Sequence, residues 1–177
     1  MRLFIGIGLP ALIAETLAKS APRLISPATG ARIRWTSPAN MHVTLSFLGQ
    51  VHEARRDAIE QSLAVIRAPR LHLELDGICT FDHAGVLYAN VKHTPALFAL
   101  AGQVMAAMAA CGFRREDRPY SPHVTLARTR DRLHLRSNPP DDPALHQAFE
   151  AAEFHLYQSL TLSEGARYEV LRSFALG

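Results

Sequence analysis

The chain of 177 residues is 48% hydrophobic and 20% charged, with a formal net charge of +3 at pH 7. That balance excludes intrinsic disorder, collagen and coiled coil, and the length suits one domain with a sizeable core. The two cysteines, Cys79 and Cys111, stand outside any C-x-x-C spacing, which excludes a disulfide scaffold and favours reduced thiols in a cytoplasmic protein.

Arg2 and the apolar run after it look superficially like a secretion signal, but Gly6, Gly8 and Pro10 interrupt the run and Glu15 follows it directly. The run divides instead into a buried strand over residues 3–9 and a helix over 11–19 that Pro10 opens. No stretch approaches the roughly 18 to 20 apolar residues of a membrane span, so a soluble protein with no membrane association is expected. A loop through Pro22, Pro27 and Gly30 leads to Ser37-Pro38-Ala39-Asn40-Met41-His42-Val43-Thr44-Leu45. Ile59, Leu63 and Ile66 share one face of a helix predicted over 52–68. Leu71, Leu73 and Leu75 alternate with His72, Glu74 and Asp76, which predicts a strand over 71–78.

A strand over 86–91 follows, and Pro95 opens a helix whose apolar positions Leu97, Leu100, Ala101, Val104, Met105 and Met108 lie on one face. Gly112 is placed to close it. Then comes Tyr120-Ser121-Pro122-His123-Val124-Thr125-Leu126. A polar loop over 137–143, a helix over 144–153 and two strands over 154–163 and 167–176, joined through Glu164-Gly165, complete the chain. The pattern predicts an α+β fold with antiparallel pairing, in a single domain of residues 1–177.

His-Val-Thr-Leu therefore occurs twice, each time a few residues beyond a proline and downstream of a strand–helix unit. That context points to an internal duplication and two lobes related by a pseudo-twofold. In a strand, alternate side chains share a face, so His42 and Thr44 project together, as do His123 and Thr125. A lone strand histidine is usually a hydrogen-bonded packing residue. Two in repeated frames, facing one cleft, suit in-line displacement at phosphorus. One imidazole removes a proton from the attacking oxygen while the other protonates the leaving one. Thr44 and Thr125 can donate to the phosphate oxygens, and Arg128 supplies a cation near the end of the second strand.

Seventeen of the 19 basic residues are arginine, and seven of those fall between Arg114 and Arg136. Such a cluster fits a polyanionic ligand or a solvated surface equally well. The nine histidines include no H-x-x-x-H or H-E-x-x-H, so no metal is expected; the seven outside the repeated frames receive no role.

These motifs, with Arg2-Leu3-Phe4-Ile5 at the start, Arg34-Trp35-Thr36 and Ser46-Phe47-Leu48-Gly49 around the first and Ala127-Arg128 after the second, resemble the two-histidine phosphoesterases. Within that group they resemble the RNA 2′,3′-cyclic phosphodiesterases, also called 2′-5′ RNA ligases. The likeness continues at Leu156-Tyr157-Gln158-Ser159 and Gly165-Ala166-Arg167-Tyr168-Glu169. It implies two lobes, each an antiparallel sheet with outer helices, around a central cleft. It implies His42 as proton donor to the leaving ribose 3′-oxygen, His123 as the base that activates water, and a terminal 2′-phosphate as product. No metal or cofactor is implied, and the same groups can run the reverse 2′-5′ joining.

Trp35, Tyr120 and Tyr157 are candidates to stack on a terminal base, and Arg130 and Arg132 to track an RNA backbone. Phe47, three residues after Thr44, points away from it in an unbroken strand and is expected in the core. The expectation is a cytoplasmic monomer acting on RNA with a 2′,3′-cyclic phosphate end, tRNA fragments among the sources. The alternatives are a phosphodiesterase of small cyclic nucleotides and a non-catalytic module that binds RNA ends.

Overall fold

The computed structural model describes residues 1–26, 32–130, 133–136, 142–163 and 165–177. The features expected at Pro27, Gly30, Arg132, Glu164 and residues 137–141 lie outside the described residues.

Strand β1 (Arg2–Gly8) buries Leu3, Ile5 and Ile7. Pro10, its φ already near the helical value, starts helix α1 (Ala11–Ser20). Next come strand β2 (Arg34–Trp35) and strand β3 (His42–Gln50). Helix α2 (Arg56–Ala64), strand β4 (Leu71–Phe81) and strand β5 (Val86–Val91) follow. In helix α3 (Pro95–Ala110) the Thr94 hydroxyl accepts the Leu97 amide at 3.3 Å. Its far end is closed by Gly112 at φ +83°, with Gly112 N–H donating to Ala109 and Phe113 N–H to Met108, the paired bonds of a left-handed glycine cap. Strand β6 (His123–Arg128), strand β7 (Ala148–Ala151), strand β8 (Glu153–Leu162) and strand β9 (Gly165–Ala175) complete the order.

All pairings are antiparallel, and the strands form one curled sheet in the order β7-β4-β5-β6-β3-β1-β8-β9. The two His-x-Thr strands are its central pair. Outward from them, β3-β1-β8-β9 on one side answers β6-β5-β4-β7 on the other. On each side a helix, α1 or α3, joins the inner two strands. The halves meet at Val43 opposite Val124; beyond that point β2 takes over the edge of β6 through Arg34–Arg128 and Trp35–Ala127. Val43, Leu45, Val124 and Leu126 belong to one buried cluster with the inner faces of α1, α2 and α3.

Four expectations need correction. The helix expected over 144–153 is a short 3-10 turn at Pro143–His146 followed by β7. Phe149 and Ala151 alternate into the core there and the backbone pairs with the edge of β4, so sheet pairing outweighs the helical propensity of an alanine-rich segment. The helix expected over 52–68 shortens to α2, because His52 caps a 3-10 turn at Glu53–Arg55 and the chain leaves the helix after Ala64. Strand β4 runs on to Phe81.

Phe47 is not in the core: it is 66% exposed. Register shifts between β1 and β3 leave Leu45 and Leu48 without partners, so β3 is not the unbroken strand on which the expectation rested. The first bulge reverses the alternation and puts Phe47 on the face of His42, where both rings approach Phe4.

Candidate active site

Val43 and Val124 point together into the core, so His42, Thr44, His123 and Thr125 share the opposite face of the central pair. Continuing the antiparallel register by one residue sets His42 toward Thr125 and His123 toward Thr44. The imidazoles are then diagonal neighbours, a relation that in a regular pair separates positions by roughly 7–8 Å. Close approach of β1 holds the first of them. A Cβ on Gly6 would stand 2.8 Å from the Val43 carbonyl oxygen and 3.3 Å from the His42 ring, so the residue across from Thr44 must be glycine.

The two histidines are held alike. His42 Nδ1 lies 2.7 Å from the Asn40 carbonyl oxygen, and His123 Nδ1 lies 2.8 Å from that of Ser121. A carbonyl only accepts, so each Nδ1 carries hydrogen and each Nε2 is left as the working nitrogen. Aromatic rings wall both. His42 packs against Phe4 at 4.6 Å and meets Tyr168 edge-on at 5.3 Å, while Tyr157 stacks on Phe4. His123 meets Phe81 and Tyr88, each at 5.2 Å. Burial in these settings lowers both imidazole pKa values, His42 to about 4; the Asn40 and Ser121 carbonyls oppose the shift. The charge of Arg128 pushes both down further and that of His123 also acts on His42, so the three cationic groups feel one another.

Asn40, given no role in the sequence reading, fixes the first motif from outside. Its side-chain amide donates to the Ala166 carbonyl at 2.6 Å and its amide oxygen accepts the Tyr168 N–H at 3.1 Å. The residue whose carbonyl orients His42 is thereby fastened to β9, which also carries the Tyr168 ring. Asn40 stands two residues before His42, a position that Ser121 fills before His123; only the fold shows that its side chain reaches a strand more than 120 residues away.

Tyr120 packs on Phe98, and its hydroxyl donates to the Thr44 carbonyl at 3.1 Å, which ties the second motif to the first strand. Trp35 is 38% exposed on β2, one position from the Arg34–Arg128 pairing. Arg130 is exposed just beyond β6. Three described arginines of the sequence cluster are already engaged with protein groups. Arg114 pairs with Asp117, Arg118 with Glu116, and Arg136 reaches back toward the Ile25 carbonyl.

Two depressions adjoin the site. One, of about 500 Å³, is lined by His42, Asn40, Tyr157 and Tyr168 among others. The other, of about 740 Å³, takes in Arg2, Arg34, Arg128, Phe47 and Tyr168.

A curled antiparallel sheet with two His-x-Thr strands at its centre is the build of a two-histidine phosphoesterase. The chain belongs to the LigT-like phosphoesterase family, whose model matches residues 7–88 and 90–168, one motif in each segment. It is 31% identical over 176 residues to the RNA 2′,3′-cyclic phosphodiesterase of Escherichia coli (strain K12), covering 99% of this chain and 96% of that protein. It is 29% identical over 184 residues to the protein of that name from Archaeoglobus fulgidus, covering 98% and 99%. The crystal structure of E. coli LigT complexed with 3′-AMP matches with a TM-score of 0.85 at 31% identity, over 99% of this chain and 97% of that one.

Proposed function

We propose that this chain hydrolyses RNA 2′,3′-cyclic phosphate ends to 2′-phosphates, without a metal, through His42 and His123. The observation that carries this reading is the matched pair: two imidazoles on the central strands, each held through Nδ1 by the carbonyl two residues back. Both lie within the electrostatic reach of Arg128. The names of the relatives support the substrate class.

Water attacks phosphorus as His123 Nε2 takes its proton. The bond from phosphorus to the 3′-oxygen breaks, and His42 Nε2 gives its proton to that oxygen. The products are a 2′-phosphate and a free 3′-hydroxyl. Thr44 and Thr125 donate to the non-bridging oxygens, and Arg128 balances the charge gathering there. In the free protein burial keeps both imidazoles uncharged at neutral pH, so the anionic substrate itself favours the proton that His42 must carry. Assignment of the donor to His42 follows the family resemblance. A 5′-hydroxyl attacking phosphorus in place of water, with its proton taken by His123 and the 3′-oxygen again leaving with a proton from His42, would join two RNA ends in a 2′-5′ linkage. A single-domain, cytoplasmic monomer acting on RNA ends, tRNA fragments included, belongs to the same reading; among the described residues no helix is long and apolar enough to cross a membrane.

Replacing His42 or His123 by Ala should each lower kcat by at least about 10²-fold, with turnover in EDTA intact. Substituting sulfur for the leaving 3′-oxygen removes the need for an acid, so it should restore His42→Ala and leave His123→Ala inactive. Rescue of His123→Ala instead would reverse the two roles. Loss of activity in EDTA, or wild-type turnover by either variant, would overturn the proposal.

A further inference from the structure

Resting on that reading, we infer that Tyr120 is a positioning residue of the reaction: by donating to the Thr44 carbonyl, its hydroxyl holds the segment that orients His123 against the opposite strand. The sequence makes Tyr120 a candidate to stack on a base; the fold gives it other partners. Its ring meets Phe98 of α3 edge-on at 5.4 Å, its hydroxyl reaches the Thr44 carbonyl at 3.1 Å, and it lines neither depression beside the site. A carbonyl only accepts, so the phenol is the donor. Burial raises its pKa well above the usual value, which keeps that hydrogen in place.

Little else joins the two motifs. Strand β1 pairs with β3 from Arg2–Gln50 to Gly8–His42, and β5 with β6 from Val86–Arg128 to Asn90–His123. Among the described residues β3 pairs with β6 only at Val43 opposite Val124. Continuing that register by one residue sets Thr44 across from His123, so Tyr120 ties the chain entering His123 to the residue that faces it. The approach to β6 depends on the same bond. Residues 114–119 are exposed and lie outside helix and strand, and their ion pairs are local, Arg114 with Asp117 and Arg118 with Glu116. Among the described residues Tyr120 is the first beyond Phe113 to bond outside this segment. One residue on, the Ser121 carbonyl accepts from His123 Nδ1, and the Pro122 carbonyl accepts from Val91 N–H of β5 at 3.3 Å. Ser121 is thus held from β5 on one side and from β3 on the other, the latter through one phenol. Without it the His123 ring drifts against a phosphate that other groups still bind, and proton transfer is more sensitive to such a displacement than binding is.

Tyr120→Phe removes the hydroxyl and keeps the ring on Phe98, so the variant should fold with a Tm lower by about 2–4 °C. Its kcat should fall about tenfold with KM little changed. Nitrogen NMR of the imidazole rings in the free protein should show His123 losing its fixed Nδ1–H tautomer while His42 keeps its own, a change that a mere loss of stability does not produce. A raised KM with wild-type kcat would overturn the inference in favour of a substrate contact. An unchanged His123 tautomer would overturn it whatever happens to turnover. The tautomer is read without substrate, so wild-type protein inert on a 2′,3′-cyclic phosphate end would count against the proposed function and leave this test standing.

Discussion

His42 and His123 carry the same bond from Nδ1 and differ in their surroundings. Burial lowers both from 6.5, His42 to about 4. The productive form holds one proton between two imidazoles, so in the free enzyme it is most populated between about 4 and a pH below 6.5. The profile of kcat/KM against pH, which reports the free enzyme, should peak on the acid side of 6.5 and decline through neutrality. A maximum above 6.5 would contradict the burial of the pair. Both histidines and both threonines were readable from the sequence, because strand alternation and the repeated frame put them on one face. Arg128, three residues beyond Thr125, would point the other way in an unbroken strand, and the register shift between β5 and β6 leaves Leu126 without a partner before it. Asn40 was not readable. A polar residue before a strand looks like any loop residue until the fold brings β9 to it.

Among the elements, the 3-10 turn Pro38–Asn40 and strand β9 act as a clamp on the first motif. Asn40→Ala should lower kcat on the order of tenfold with little change in KM, since catalysis suffers from small misplacements that binding tolerates. Nitrogen NMR of the ring should show His42 losing its fixed Nδ1–H tautomer while His123 keeps its own. A variant with wild-type kcat and an unchanged tautomer would show that the clamp has no bearing on the site. Among the described residues the Ser121 side chain makes no bond like those of Asn40, which makes His123 an internal control. Element types were legible where period and punctuation agreed, as in α3 between Pro95 and Gly112. They failed where pairing partners decided. The segment 144–153 is strand because the edge of β4 lies beside it, and Phe47 is exposed because bulges break the alternation of β3.

For the whole molecule, burying two imidazoles under aromatic rings ties stability to pH. The unfolded chain holds His42 near 6.5 and the folded chain at about 4, so between those values the unfolded state binds the extra proton. The contribution is complete above pH 6.5 and shrinks as pH falls toward 4, by up to about 3 kcal/mol for His42. Denaturant unfolding at pH 7 and pH 4.5 should therefore show a smaller acid loss in His42→Gln than in wild type; equal losses would refute the link.

The sequence by itself determined the strand–helix units, the duplicated frames and the residues able to move protons, because alternation and proline or glycine punctuation are local properties. Tertiary structure alone decided that the two frames lie side by side at Val43 and Val124, and that Arg2, Arg34 and Arg128 gather in one groove. Those arrangements depend on which strands become neighbours, and neighbours distant in the chain are chosen by burial of a shared core rather than by any single segment.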